Sequence, residues 1–161
     1  MQLVYMYIDS PVGALKLVAH DSALVAVMWD NEDHKRVRLA ELIEKPQHPM
    51  LLKTKQQLAE YFAGQRQQFD LPLDFQGTVF QQQVWQALLS IPYGETRSYK
   101  DIARQIGNEK AVRAVGAANG KNPISIIAPC HRVIGSAGAL VGFAGGLDKK
   151  QILLSLENNQ S

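Results

Sequence analysis

Three short apolar runs open the chain: Leu3 to Ile8, Ala14 to Ala19 and Ala23 to Trp29. Runs of this length, bounded by turn-forming residues, predict strands. Asp9-Ser10-Pro11-Val12-Gly13 and His20-Asp21-Ser22 supply the turns, so the three runs predict an antiparallel meander. Asn31 to Pro49 is polar, poorly patterned and expected to include a short helix. The period then changes. Leu51, Leu52, Leu58, Tyr61 and Phe62 fall on one helical face, which Gly64 stops. Residues 65–77 are glutamine-rich, contain Pro72 and Gly77, lack a helical period and read as a linker.

Beyond the linker the pattern is helical. Thr78 can cap a helix that turns Phe80, Val84, Trp85, Leu88 and Leu89 inward and ends at Pro92 and Gly94. Ser98, with Asp101 three residues on, resembles a capping box and opens a helix from Tyr99 to Ile106. Gly107-Asn108 makes a tight turn before a further helix from Glu109 to Asn119. Two short helices joined by a glycine turn read as helix-turn-helix, a pattern that by itself says little about DNA. On the second helix Ala111, Val112, Ala114, Val115, Ala117 and Ala118 form a surface of small residues, with Lys110 and Arg113 on a common face. Such a slim helix can approach a nucleic-acid groove, or pack closely on another helix. A last helix spans Leu147 to Glu157.

Charge sharpens the division into two parts. Residues 1–75 hold 8 Lys/Arg against 10 Asp/Glu and residues 76–161 hold 9 against 5, so a bland net +2 hides an acidic first part and a basic second. Between Arg97 and Arg132 the count is 7 to 2, the footprint expected of a nucleic-acid surface and also of an ordinary solvated face. No stretch approaches the roughly 18 consecutive apolar residues of a membrane span, and the start lacks the basic-then-apolar order of a signal peptide. A reduced, cytoplasmic protein is the expectation.

Cys130 is the only cysteine in 161 residues. One thiol makes neither an internal disulfide nor a cysteine zinc site. It can be a small buried hydrophobe or a nucleophile, which is reactive as thiolate and is activated by a neighbouring imidazole or cation. It follows the apolar run Ile124-Ser125-Ile126-Ile127-Ala128 and sits between Pro129 and His131. In an extended segment adjacent side chains point to opposite sides, so Cys130 and His131 are not expected to bond directly.

Pro129-Cys130-His131-Arg132-Val133 resembles the active-site pentapeptide of the O6-alkylguanine-DNA alkyltransferases (methylated-DNA–protein-cysteine methyltransferases). Phe80-Gln81, Val84-Trp85, Ile91-Pro92 with Gly94, Tyr99, Arg113-Ala114-Val115-Gly116, Asn122-Pro123, Gly145-Gly146 and Leu153-Leu154 fall in that family's order and spacing. The resemblance covers residues 78 to 157 closely and the first 75 loosely. It implies an α+β chain, with an RNase-H-like antiparallel sheet and helix over residues 1–75. A mostly helical, winged helix-turn-helix-like domain over 76–161 would bind DNA and accept the alkyl group.

The implied chemistry is stoichiometric transfer of the alkyl group from O6-alkylguanine to Cys130, with O4-alkylthymine as a second candidate substrate. The pairing edge of guanine is shut inside a duplex, so the nucleotide must be flipped out. Arg113 matches the residue that fills the vacated stack, on a helix that enters the minor groove. Tyr99 matches the tyrosine that assists rotation and hydrogen-bonds the extruded base. Lys110, Ala114 and Asn119 complete the expected DNA-contacting set. The resemblance also implies a relay from Cys130 through one water to His131 and on to Glu157, with Asn122 supporting the active-site turn. Pro129, Val133, Phe143 and Ala144 match pocket positions: backbone carbonyls near Cys130 and Val133 accept from the guanine amino group, and the Ala144 amide faces O6. Phe143 stands where a tyrosine is frequent, so that hydroxyl has no counterpart here. No metal and no cofactor are expected. The expected partner is duplex DNA carrying alkylated bases, met by a monomer away from any membrane.

Two other readings compete. A cysteine hydrolase could use Cys130 with a histidine base, although His20, His34 and His48 lie in the weakly matched first part. A non-enzymatic helix-turn-helix damage-binding protein could carry the thiol incidentally.

Overall fold

A computed structural model describes residues 2–30, 37, 39, 41–135, 143 and 145–158. The three apolar runs form the predicted meander, with β1 (Leu3–Ile8) antiparallel to β2 (Leu15–His20), and β2 antiparallel to β3 (Ala23–Trp29). All seven residues of β3 are buried, which explains why its sequence is continuously apolar rather than alternating. A fourth strand, β4 (Leu42–Glu44), pairs parallel to β1, so the sheet is mixed, in the order β3-β2-β1-β4. This strand lies in the segment expected to hold a short helix; residues 31–36, 38 and 40 of that segment are outside the described set.

Helix α1 (Pro49–Phe62) starts on His48, whose ring accepts from the Met50 amide, with proline in the first turn, where its missing N–H costs nothing. Its buried stripe is Leu51, Thr54, Gln57, Leu58 and Tyr61. Leu52, expected on that face, is exposed, because it lies about 100° around the helix from Leu51.

Residues 65–77 are stapled to the sheet rather than free. The Leu24 amide donates to the Pro72 carbonyl at 2.9 Å and the Asp74 amide to the Leu24 carbonyl at 2.8 Å. Gln57 exchanges two bonds with the backbone of Asp70, at 3.0 and 2.9 Å. The other end of β3 is covered in the same way, Val27 bonding Pro123 and Ser125. The open edge of β3 is thereby occupied from two points in the chain, which removes an aggregation-prone edge and fixes the second half against the first. One apolar core runs through both halves, from Val4 and Leu17 to Trp85, Ile102 and Leu153.

In the second half, α2 (Val79–Leu89) opens on Thr78 with the reciprocal Thr78–Gln81 capping box. A two-residue strand β5 (Arg97–Ser98) leads into α3 (Tyr99–Gln105), capped by the predicted Ser98–Asp101 box. α4 spans Val112–Gly120 and starts three residues later than the apolar pattern predicts. Its N-cap is Ala111, which offers no side-chain acceptor, while the Ala111 amide is turned back onto Asn108. Lys110 therefore sits in the turn before α4, and does not share a helical face with Arg113. Strand β6 (Val133–Ile134) pairs parallel to β5, and α5 (Leu147–Asn158) closes the described chain.

Trp85 fastens α2 to α4: its indole N–H donates to the Ala118 carbonyl at 2.8 Å from a position 2 % exposed. Trp85→Phe should remove that bond and leave a void, while the Ala118 carbonyl keeps its bond from the Lys121 amide, lowering stability by about 2 kcal/mol. Urea unfolding should show a lower midpoint with the slope unchanged.

Candidate active site

The apolar run before the cysteine is a turn, not a strand. Ile127 bonds back to the Ser125 carbonyl and Ala128 to the Ile124 carbonyl, and Ile126 takes φ +73°, a left-handed conformation costly for a β-branched residue. Asn122 holds this path in shape. Its side-chain amide donates to the Ala128 carbonyl at 2.8 Å, and its oxygen accepts from the Ile124 amide at 3.0 Å. The chain then enters a 3-10 turn, Cys130–Arg132, so the extended geometry expected around Cys130 is replaced by a tight one. A turn aims His131 and Arg132 into the protein together, which an extended segment would not do.

Both meet Glu157, on the last turn of α5. His131 Nε2 lies 2.7 Å from Glu157 Oε2, and Arg132 donates through Nε to Oε1 at 2.7 Å and through Nη2 to Oε2 at 3.0 Å. Arg132 also donates to the Ile91 carbonyl at 2.7 Å and lies over the Tyr93 ring. Tyr61, from α1, donates its hydroxyl to Oε2 at 2.6 Å. Burial alone would raise the Glu157 pKa, but hydrogen bonds from His131 and Arg132 and their charge bring it down to about 2. Burial pushes the His131 imidazole below its ordinary range, against the pull of Glu157, so the ring is neutral near pH 7. A carboxylate only accepts, so Nε2 carries the hydrogen and Nδ1 keeps its lone pair. Among the described residues Nδ1 meets no hydrogen-bond partner.

Cys130 is 5 % exposed. A second buried charge stands on its side of the site: Lys150 donates to the Val133 carbonyl at 2.6 Å. Burial lowers the Lys150 pKa, opposed by attraction to the Cys130 sulfur. The β5–β6 pairing sets Arg97 opposite Val133 and Ser98 opposite Ile134, which brings Tyr99 at the head of α3 to the cysteine turn. Tyr99 is half-buried, with burial raising its pKa; Asn119 hydrogen-bonds it, Cys130 lies within its electrostatic reach and Gly116 leaves room for its ring.

Lys110, Arg113 and Ala114 are exposed, on or just before α4. Asn119 is a correction: expected at the DNA surface, it is buried, because α4 turns Val115, Ala118 and Asn119 inward. It reaches Tyr99 instead. Pro129 and Val133 line the cysteine turn, and Phe143 packs edge-on against Trp29 of β3 at 5.5 Å. Ala144 lies outside the described residues. The sequence reading missed the roles of Tyr61, Arg132 and Lys150. The signal for Lys150 was present: with Leu153 and Glu157 it forms the buried i, i+3, i+7 stripe of α5, which is charged where a core stripe is ordinarily apolar.

The family described as 6-O-methylguanine DNA methyltransferase, ribonuclease-like domain, matches residues 3–75. Its DNA binding domain counterpart matches residues 79–159. The chain belongs to the 6-O-methylguanine DNA methyltransferase family. Among its relatives, the methylated-DNA–protein-cysteine methyltransferase of Mycobacterium leprae is 50% identical, over 94% of this chain and 90% of its own. The constitutive enzyme of that name from Bacillus subtilis is 47% identical, over 95% and 94%. The crystal structure of the Mycobacterium tuberculosis OGT in complex with DNA superposes with a TM-score of 0.91 at 48% identity, covering 98% of this chain and 94% of that one.

Acid should undo this methyltransferase site in two stages. His131 is depressed in the fold, so the unfolded chain gains that proton first, and stability falls as pH drops below about 6.5. Glu157 is depressed from 4.5 to about 2, so its contribution is full above the first value and lost as pH falls to the second, roughly 3 kcal/mol in all. Glu157→Gln should abolish the second stage. It should also destabilise the protein at neutral pH by about 3–5 kcal/mol, since Arg132 is left as an uncompensated buried charge. Urea midpoints measured at several pH values check both.

Proposed function

We propose that this protein repairs DNA by moving the alkyl group of O6-alkylguanine onto Cys130, once per chain. The carrying observation is the bond from His131 Nε2 to the buried Glu157 carboxylate at 2.7 Å, which leaves the Nδ1 lone pair to act as a base on the residue next in sequence to the sole cysteine. The thiol proton passes through one water to Nδ1, and Glu157 stabilises the imidazolium that forms. The thiolate attacks the alkyl carbon, the carbon–O6 bond breaks, and its electron pair stays on the guanine, which takes up a proton. Lys150 offsets the sulfur's charge before attack. The product is a thioether, a poor leaving group, and no second thiol exists to remove it.

The division at residue 75 supplies a scaffold in residues 1–75 and a DNA-binding, alkyl-accepting part in residues 76–161. The exposed side of α4 carries Val112, Arg113, Ala114 and Ala117, small enough for groove entry around one long cation. Arg113 fills the stack after extrusion, and Tyr99 and the backbone near Val133 receive the base. Duplex DNA with alkylated bases is the partner, met by a monomer. A hydrolase is disfavoured because the chain's relatives are methyltransferases, and His20 and His48 are engaged by Asp74 and Asp21.

Incubation with methylated DNA should add one methyl group per chain, mapped to Cys130. Cys130→Ser should bind DNA and acquire nothing; repeated turnover would favour a hydrolase and an unchanged mass a pure binder.

Arg113→Ala should slow repair of duplex DNA by tens- to roughly a hundredfold while leaving reaction with free O6-benzylguanine near normal, because only the duplex requires base extrusion. Equal slowing of both reactions would make Arg113 a structural residue.

A further inference from the structure

The first half of the chain reaches the relay through the Tyr61 hydroxyl. Tyr61 and Glu157 stand 96 positions apart, bonded at 2.6 Å, and both are buried, at 0% and 2% exposure. Oε2, the oxygen that Tyr61 holds, is the one His131 uses. Arg132 binds Oε1 more closely than Oε2, at 2.7 against 3.0 Å. A guanidinium favours a carboxylate laid square on its fork, with both oxygens engaged equally. His131 requires Oε2 to be turned toward the imidazole. The phenol makes the shortest of the contacts to Oε2.

Packing alone does not account for this hydroxyl. The Tyr61 ring already sits among Phe62, Phe69 and Tyr93, where a phenylalanine would fill the same space. A hydroxyl placed in such a core costs stability unless it is bonded, and here its partner is the carboxylate of the relay.

We propose that Tyr61 is a positioning residue for alkyl transfer, its hydroxyl setting the Glu157 carboxylate toward His131, so that the N-terminal half governs the reactivity of Cys130. The proposal rests on the reading of Cys130 as the acceptor. The groups facing this carboxylate are His131 and Arg132 from the cysteine turn, Tyr93 from the loop after α2 and Tyr61 from α1; Lys150 of α5 acts on His131 from the other side. Burial, with the facing carboxylate, pushes Tyr61 up, so it remains a donor at working pH.

The test uses the full chain carrying Tyr61→Phe and follows the rate of Cys130 alkylation by free O6-benzylguanine as a function of pH. We expect a drop of about tenfold near neutral pH, a fraction of what a positioned base contributes. The acid limb of the profile should also move to higher pH, because a misaligned relay leaves the thiol protonated longer, while affinity for DNA stays unchanged. Thr54→Val, which removes the Thr54–Met50 bond on the same helix, separates positioning from stability: it should lower the melting temperature and leave the profile in place. A Tyr61→Phe profile equal to that of the unsubstituted protein overturns the proposal whatever its melting temperature, and so does an equal shift in Thr54→Val. Failure of the unsubstituted chain to carry the benzyl group on Cys130 overturns the reading of the site and the proposal with it.

Discussion

A carboxylate shut away from water is tolerated only where charge and hydrogen bonds replace its hydration, and Glu157 imposes that demand on the whole second half of this protein. His131, Arg132 and Tyr61 converge on it from the cysteine turn and from α1. Arg132 in turn bonds the Ile91 carbonyl at the end of α2 and covers Tyr93. The contacts that orient the His131 imidazole therefore also join α1, α2, the cysteine turn and α5. Catalytic geometry and tertiary packing are the same set of bonds, so a change at Glu157 is felt in both.

The cysteine turn stores the reverse kind of constraint. Ile126 is held in a left-handed conformation, and the backbone tolerates it because Asn122 bonds the chain on both sides and the surrounding side chains are buried. That strained path delivers Cys130, His131 and Arg132 in one short turn. Glu157 and Lys150 then bracket the Cys130–His131 pair with opposite charges, the carboxylate behind the imidazole and the ammonium near the sulfur.

Exposed α4 and half-buried Tyr99 lie on the outer side of the same turn. The two-residue β5–β6 pairing is the smallest element of the fold, yet it sets the start of α3 beside the cysteine. Asn119 is drawn inward to Tyr99 rather than outward to solvent, so the exposed side of α4 is smoother than its sequence suggests, with Arg113 as its long cation.

The chain's local chemistry was legible without coordinates wherever short-range forces decide. The meander and the Thr78 and Ser98 caps follow from apolar period and side-chain capping, which act within a few residues. The pentapeptide around Cys130 identified the chemistry through its resemblance to a known family, which the family match over residues 79–159 bears out. Legibility failed where a distant partner decides. β4 forms because β1 offers it an edge, and residues 65–77 are ordered because β3 leaves one open. α4 begins late because Asn108 captures the Ala111 amide. The cysteine run folds into turns although its composition suits a strand, since its pairing with β3 stops at Ile124 and Asn122 bonds its backbone beyond that point. Tyr61 looked like one more apolar member of a helical stripe. Only the tertiary structure shows its hydroxyl on Glu157, because a hydrogen bond spanning 96 positions leaves no periodic trace in the residues between.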